Sequence, residues 1–296
     1  MSDRGLVVIT GAAGGLGLAC ARNFAPRHPL LLVDAAAEEL GKARQELEGE
    51  GASISSVVCD LGQGQDIVAI ADAMVAAGEI AGLIHAAGLS PAMATAARIL
   101  EVNLRGTARV LEAALPAAGP GTVAVCVASI AGHRRRAAEF DALLGNPLRA
   151  DLVADLEAAA GGGELPSTVG YALSKRGVIL LCEQQARAWG ERGARIVSVS
   201  PSLIDTPMGR LEHGANAAGM LEGLLAATAS KRIATTADVV AAVDFLCSDA
   251  AGYITGTDLR IDGGSVAAFT HGWPAEERER WEDPWKAAAY AARPEA

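Results

Sequence analysis

Leu6-Val7-Val8-Ile9-Thr10-Gly11-Ala12-Ala13-Gly14-Gly15-Leu16-Gly17 is the stretch whose reading decides the fold. Its first five residues are apolar and mostly β-branched, and five is strand length. The four glycines that follow permit a tight bend. The next apolar positions, Leu16 to Phe24, recur with helical period. Strand, glycine turn, helix is the local architecture that lets backbone N–H groups at a helix N-terminus approach a pyrophosphate. The spacing is TGxxxGxG rather than GxGxxG, with Thr10, Gly11, Gly15 and Gly17 at the fixed places. It predicts a dinucleotide-binding turn.

Working outward, the next apolar run, Leu30-Leu31-Leu32-Val33, ends in Asp34. A carboxylate at the tip of a second strand accepts hydrogen bonds from ribose hydroxyls and repels a 2′-phosphate. No Arg or Lys stands at Ala13, Gly14, Ala35 or Ala36 to hold such a phosphate. The expected cofactor is therefore NAD. Further strand-like runs recur at Ile54–Cys59, Ala81–His85, Thr122–Ala128, Ala194–Val199 and Thr257–Ile261. Between them lie amphipathic stretches at Glu38–Glu48, Asp66–Ala77, Met93–Leu115, Tyr171–Trp189 and Ala237–Ser248. Such alternation predicts an α/β fold: one Rossmann-type, doubly wound parallel sheet of about seven strands, with helices on both faces. Active residues then belong beyond the carboxyl ends of the strands.

Composition narrows the function. Apolar residues make up 51% of the 296, enough for a large core, yet no uncharged apolar run reaches bilayer length. The opening Met1-Ser2-Asp3-Arg4, which runs at once into a strand-like stretch, does not read as a secretory signal. The five cysteines, Cys20, Cys59, Cys126, Cys182 and Cys247, are widely spaced in apolar surroundings, as expected of reduced thiols in a cytoplasm. A net charge of −10 speaks against nucleic acid, and the short basic cluster His133-Arg134-Arg135-Arg136 does not reverse it. The histidines show no ligand spacing, so no metal is expected.

Tyr171 and Lys175 stand four residues apart in Tyr171-Ala172-Leu173-Ser174-Lys175. On a helix they share one face. A phenol titrates normally at about 10, and a fixed cation beside it favours the phenolate. That makes Tyr171 a candidate acid–base catalyst.

Taken together, these pieces resemble the short-chain dehydrogenase/reductase family over roughly residues 6 to 265. They stand in the family's order: TGAAGGLG at 10–17, Asp60-Leu61, Ala86-Ala87-Gly88, Asn103, Ser129, Tyr171 with Lys175, Pro201 with Thr206, and Asp262-Gly263-Gly264. The resemblance implies a catalytic set of Asn103, Ser129, Tyr171 and Lys175. Tyr171 would exchange a proton with the substrate oxygen and Ser129 would hold that oxygen. Lys175 would lower the phenol's pKa and hold the nicotinamide ribose, and Asn103 would anchor a water leading from Lys175. It also implies cofactor contacts from Gly11, Gly15, Leu16, Gly17, Asp34, Asp60, Leu61, Ala86, Ala87, Gly88, Tyr171, Lys175, Pro201, Ile204 and Thr206. Asp60 would meet the adenine amine, Leu61 the ring edge and Thr206 the nicotinamide amide.

The departures are as informative as the matches. His85 stands where the family usually has asparagine and reads as a packed residue; Ser202 replaces the glycine after Pro201. Ser129 and Tyr171 are 42 positions apart, far more than usual, whereas Gly88 and Asn103 are only 15 apart. This combination resembles the bacterial 3α-hydroxysteroid dehydrogenase/carbonyl reductase subgroup. The expected division is a dinucleotide-binding domain over 1–268, with an insertion at 132–169 and a lid at 207–231, then a tryptophan-rich tail over 269–296. The insertion contains a helical stretch, Leu148 to Ala160, closed by three glycines. Trp273, Trp281 and Trp285 suggest that the tail docks, on this subunit or a neighbour. Met208, Leu211, Met220, Leu221, Leu224 and Leu225 make the lid apolar. The expected substrate is thus a hydrophobic secondary alcohol or ketone, steroid-like or smaller, handled by a cytoplasmic homodimer or homotetramer. Alternatives are a nucleotide sensor without turnover and an isomerase or lyase of the related extended group.

Overall fold

The structure, a computed structural model, describes residues 5–134, 138–215, 225, 228–272, 278, 281 and 283. Among these residues seven strands form one sheet: β1 (Leu6–Thr10), β2 (Leu30–Asp34), β3 (Ile54–Val58), β4 (Ile80–His85), β5 (Ala118–Val127), β6 (Arg195–Pro201) and β7 (Asp258–Ile261). Their order is β3-β2-β1-β4-β5-β6-β7 and every pairing is parallel. The chain winds outward from β1 to β3, returns to the other side of β1, and winds outward again to β7. The switch point therefore lies between β1 and β4, where a crevice opens at the strands' carboxyl ends.

Alternation along the strands explains why both faces carry helices. Val7 and Ile9 enter one core with Leu30 and Leu32, while Val8 enters the other with Leu31 and Val33. The first core is closed by α1 (Gly15–Phe24), α2 (Ala37–Gly49) and a late helix, Thr236–Cys247, through Phe24, Leu40, Val243 and Leu246. The second is closed by α3 (Ile67–Ala77), α4 (Ala96–Leu100), α5 (Thr107–Ala114) and the 24-residue helix Ser167–Gly190. With side chains buried on both faces, the inner strands β1 and β2 read in sequence as apolar runs, whereas the edge strands β3 and β7 carry polar residues.

Between α4 and α5 the helix is interrupted by a wide π-turn, Glu101–Gly106. The sequence stretch Met93–Leu115 gave no sign of it. Inserted between β5 and the long helix are α6 (Ala138–Leu144) and α7 (Leu152–Ala159). The expected helix over Leu148–Ala160 corresponds to α7; α6 was not foreseen. The long helix Ser167–Gly190, α8 in chain order, receives both. Phe140, Leu144, Leu152, Leu156 and Leu165 join its core, and Asp141 pairs with Arg176 at 2.7 Å. Arg105 holds the segment between the two, donating to the carbonyls of Pro147, Arg149 and Ala150 at 3.0, 2.5 and 2.8 Å.

After β6 come α9 (Pro207–Ala215), α10 (Thr236–Cys247) and α11 (Ser265–His271). Of the lid residues, Met220, Leu221 and Leu224 lie outside the described residues, as do Trp273 and Trp285 of the tail. Phe269 in α11 is 1% exposed, and its ring centroid lies 4.6 Å from that of Trp281. The five cysteines are buried, and none forms a disulfide. Among the described residues no helix is long and apolar enough to cross a membrane.

Candidate active site

The glycine turn is shaped by contacts that leave no room for a side chain. Gly11 has φ +71°, and a Cβ there would lie 2.7 Å from the Ala87 nitrogen. A Cβ on Gly17 would come within 2.0 Å of the Gly11 carbonyl oxygen. Helix α1 therefore sits directly on the turn, and the turn sits directly on Ala86-Ala87. Gly14 caps α1 without any side-chain acceptor, so the helix presents backbone donors to the crevice. Gly15, with φ +53°, faces Thr206 across it, and a Cβ there would lie 3.7 Å from the Thr206 Cβ. A cradle of bare backbone and uncapped donors fits a dinucleotide pyrophosphate.

Asp34 ends β2 beside the glycine turn. Its carboxylate accepts from the Ala13 and Ala36 amides, each at 3.0 Å, which pins the turn while leaving further lone pairs outward. Asp60 is differently engaged. Its Oδ1 accepts from the Gly62 amide at 2.9 Å, and both carboxylate oxygens receive the Arg98 guanidinium, at 2.7 and 2.5 Å. Partial burial pushes the carboxyl up, but the Gly62 amide and Arg98 outweigh it and hold it below the usual carboxylate range. Nothing in the sequence signalled Arg98, 38 positions away. Leu61 is 4% exposed and faces the core beside Gly106. Of the remaining cofactor candidates, Leu16 is buried in α1 and Pro201 ends β6, while Ile204 makes a lone bridge to Ala234. Thr206 accepts from the Gly209 amide at 3.0 Å, opening α9.

The four catalytic candidates come from four elements. Asn103 lies in the π-turn, 1% exposed; its Oδ1 accepts from the Leu89 amide at 2.7 Å and its Nδ2 donates to the Leu89 carbonyl at 2.9 Å. Both bonds strap the segment that runs on from β4. A Cβ on Gly88 would lie 3.3 Å from Asn103 Oδ1 and 3.5 Å from Lys175 Nζ, so this glycine is the point where the amide and the ammonium meet. Lys175 is 6% exposed; its Nζ donates to the Val127 carbonyl at 2.8 Å and lies 5.8 Å from the centroid of the Tyr171 ring. Tyr171 is half-buried on the second turn of α8, one turn before it.

Ser129 follows β5 and caps the short turn Ile130–His133, its Oγ accepting from the Ala131 amide at 3.2 Å. Accepting there leaves the hydroxyl proton for another partner. The turn is pressed onto α8: a Cβ on Gly132 would lie 2.9 Å from the Lys175 carbonyl carbon. On its far side, His133 Nε2 donates to Asp258 Oδ2 at 3.0 Å, which ties the turn to β7. The next residue, Arg134, feels the Tyr171 oxygen: burial pulls its guanidinium down to about 10, with Tyr171 opposing. In sequence this residue was only part of a basic cluster; the fold brings it to the catalytic helix.

A cavity of about 330 Å³ is lined among others by Ser202, Leu225, Thr228, Arg232 and Gly263. None of the four catalytic candidates lines it. Ser202, at the family's glycine position, lies 3.4 Å from Ser265 through their hydroxyls.

Comparison with known proteins gives a consistent picture. Residues 5–140 match the family model described as short chain dehydrogenase, and residues 155–266 match one described as Enoyl-(Acyl carrier protein) reductase. Short-chain dehydrogenase/reductase bsc3 of Alternaria brassicicola is 31% identical over 280 residues, 90% of this chain and 97% of that one. The 3-alpha-hydroxysteroid dehydrogenase/carbonyl reductase of Comamonas testosteroni is 29% identical, covering 89% of this chain and 97% of its own. Among solved structures, levodione reductase superposes with a TM-score of 0.69 at 27% identity, covering 89% of this chain and 98% of that one.

Proposed function

The chain belongs to the short-chain dehydrogenase/reductase family, and from that premise we propose that it is an NAD(H)-dependent oxidoreductase interconverting a hydrophobic secondary alcohol and its ketone. The observation that carries the reading is the meeting of Lys175, Asn103 and Gly88 at the mouth of the β1–β4 crevice, one helical turn from Tyr171.

A bound nicotinamide supplies or accepts the hydride. The chain's own residues then manage one proton and one oxygen. In the reductive direction Tyr171 gives its phenolic proton to the substrate oxygen as negative charge gathers there; in the oxidative direction it takes that proton back. Ser129 donates its free hydroxyl proton to the same oxygen, and a preformed donor costs no reorganisation in the transition state. Lys175 and Arg134 place positive charge near the phenol, stabilising the oxygen left when the proton departs. Asn103 braces the backbone around Gly88, against which the nicotinamide half of the cofactor would lie. Asn103 would also anchor the water of the proposed proton path, since its side-chain and main-chain oxygens each keep a second lone pair beside the bonds from Leu89 and Thr107.

Asp34 supports NAD over NADP, since its carboxylate opposes a 2′-phosphate and no cation adjoins it in the turn. The apolar Met208 and Leu211 of α9 support an apolar substrate, and Leu211 is 57% exposed toward solvent in this state. A cytoplasmic homodimer or homotetramer completes the reading. The test is Tyr171→Phe, assayed by NADH absorbance on a panel of alicyclic and aromatic secondary alcohols with NAD and NADP side by side. Turnover should fall at least about a hundredfold, with dinucleotide affinity little changed. Wild-type rates in the variant would overturn the assignment.

A further inference from the structure

His85 departs from the family's usual asparagine, is 1% exposed, and has no part in the mechanism above. Yet both its ring nitrogens are engaged: Nδ1 lies 2.9 Å from Thr10 Oγ1 and Nε2 lies 2.8 Å from Thr107 Oγ1. The direction of each bond follows from counting protons. Thr107 Oγ1 spends its one proton on the Asn103 main-chain carbonyl, at 2.6 Å. Toward His85 it can only accept, so Nε2 carries the ring proton. Nδ1 is then bare and accepts the Thr10 hydroxyl proton. Thr10 Oγ1 in turn accepts from the Ala87 amide at 3.2 Å. One chain of hydrogen bonds thus runs from the Ala87 amide through Thr10, His85 and Thr107 to the Asn103 carbonyl, all in one direction.

The ring stays neutral throughout. Burial, and secondarily the Lys175 charge, pull its pKa down to about 3. A permanently uncharged imidazole keeps the same donor and acceptor over the working pH range, so it is no catalytic base.

The two ends of the chain support the same strip of backbone, Ala86 to Leu89. On one side Thr10 holds the Ala87 amide, directly against Gly11 of the dinucleotide turn. On the other side Asn103 holds both the amide and the carbonyl of Leu89. From this geometry we infer that His85 is a positioning residue that couples the dinucleotide turn to the catalytic π-turn through a single imidazole tautomer. The inference rests on the dehydrogenase reading for the meaning of turnover, but not for dinucleotide affinity or for the tautomer.

Two half-isosteres separate the ends. An asparagine oxygen occupies the place of Nδ1 and a glutamine amide nitrogen the place of Nε2. His85→Asn therefore keeps the bond to Thr10 and loses the bond to Thr107. His85→Gln does the reverse. With whichever nicotinamide dinucleotide the wild type binds more tightly, His85→Asn should keep its Kd within about twofold and lose about five- to tenfold in kcat. His85→Gln should lose about five- to tenfold in dinucleotide affinity and hold kcat at saturating cofactor near wild type. A role in packing alone would move both constants together in both variants, or neither, and either result overturns the inference. Should the variants fail to fold, ¹⁵N spectra of the wild-type protein decide. They should show Nε2 protonated and no titration between about pH 5 and 8. A proton on Nδ1, or a ring that titrates there, overturns it equally. Failure of the Tyr171→Phe test would remove the enzymatic reading while leaving the Kd and tautomer results standing.

Discussion

The dinucleotide turn and the inserted segment between β5 and α8 are both fixed in place, but by opposite means. In the turn, backbone meets backbone: Cβ atoms on Gly11 and Gly17 would lie 2.7 and 2.0 Å from main-chain atoms. In the insertion, long side chains reach out and grip: Arg105 holds three carbonyls, Arg176 holds Asp141, and five apolar side chains fill the space on α8. Main-chain contacts of that kind cannot relax. Side-chain grips can be remade with other residues. The turn should thus be intolerant of small changes, and the insertion should come loose piecemeal.

The largest effect is expected at Gly17. An added methyl in Gly17→Ala would meet the Gly11 carbonyl, which has nowhere to go. A loss of about 3 kcal/mol or more is expected, at the upper end for overpacking. Urea unfolding measures it. Within the same turn, a Cβ on Gly14 would have nothing within 4 Å, and its backbone is extended. Gly14→Ala should leave stability unchanged within about 0.5 kcal/mol. If the two alanine variants unfold alike, crowding is not what fixes the turn.

Arg105→Ala comes next and probes the other region. It removes a guanidinium that is only 16% exposed, and with it hydrogen bonds to three carbonyls. The cost should be about 2–4 kcal/mol. Hydrogen exchange should quicken over α7 and the segment before it, while the amides of β1 and α1 stay protected and dinucleotide affinity holds. Equal loss of protection in both regions would mean that the insertion and the turn form one cooperative unit, and the contrast between them would fail.

The same contrast explains what was legible in the sequence. Strands covered on both faces leave unbroken apolar runs, and a turn that excludes side chains leaves glycines at fixed spacing; both are legible in the sequence alone. Asp34 ends β2, Asp60 and Ser129 follow β3 and β5, and Tyr171 and Lys175 lie one turn apart on α8, while Asn103 lies within the π-turn. The partners did not show. Arg98 meets Asp60 from 38 positions away, and His85 reaches Thr10 across 75. Such bonds depend on tertiary closure and carry no local period. Helix α6 escaped notice because seven residues with two buried positions, Phe140 and Leu144, make too short a pattern. The π-turn at Asn103 escaped because its residues continue the helical apolar spacing on either side. Arg134 reads in sequence only as part of a short basic cluster, and the turn after Ser129 brings it within electrostatic reach of Tyr171.

The smallest effect concerns how the insertion's anchor is itself held. Glu101 sits between Arg105 and Arg109, at 2.9 and 2.7 Å, and is 24% exposed. Partial burial pushes its carboxyl up, but hydrogen bonds from Arg109 and Arg105 outweigh that and hold it below the usual carboxylate range. A carboxyl depressed in the folded state adds stability above its unfolded pKa, about 4.3. That contribution drains away as the pH falls through the lower, folded value. Glu101→Gln removes the charge and keeps the shape. At pH 7 it should therefore cost about 1 kcal/mol, a partly buried cluster being worth more than an exposed pair and less than a buried one. In acid the two proteins should converge. Urea unfolding of both at a series of pH values from about 7 down to 3 reads the gap directly. A gap that stays constant across the series would show that Glu101 holds Arg105 by shape and hydrogen bonding alone. Arg105 would then grip the insertion without help from the neighbouring charge.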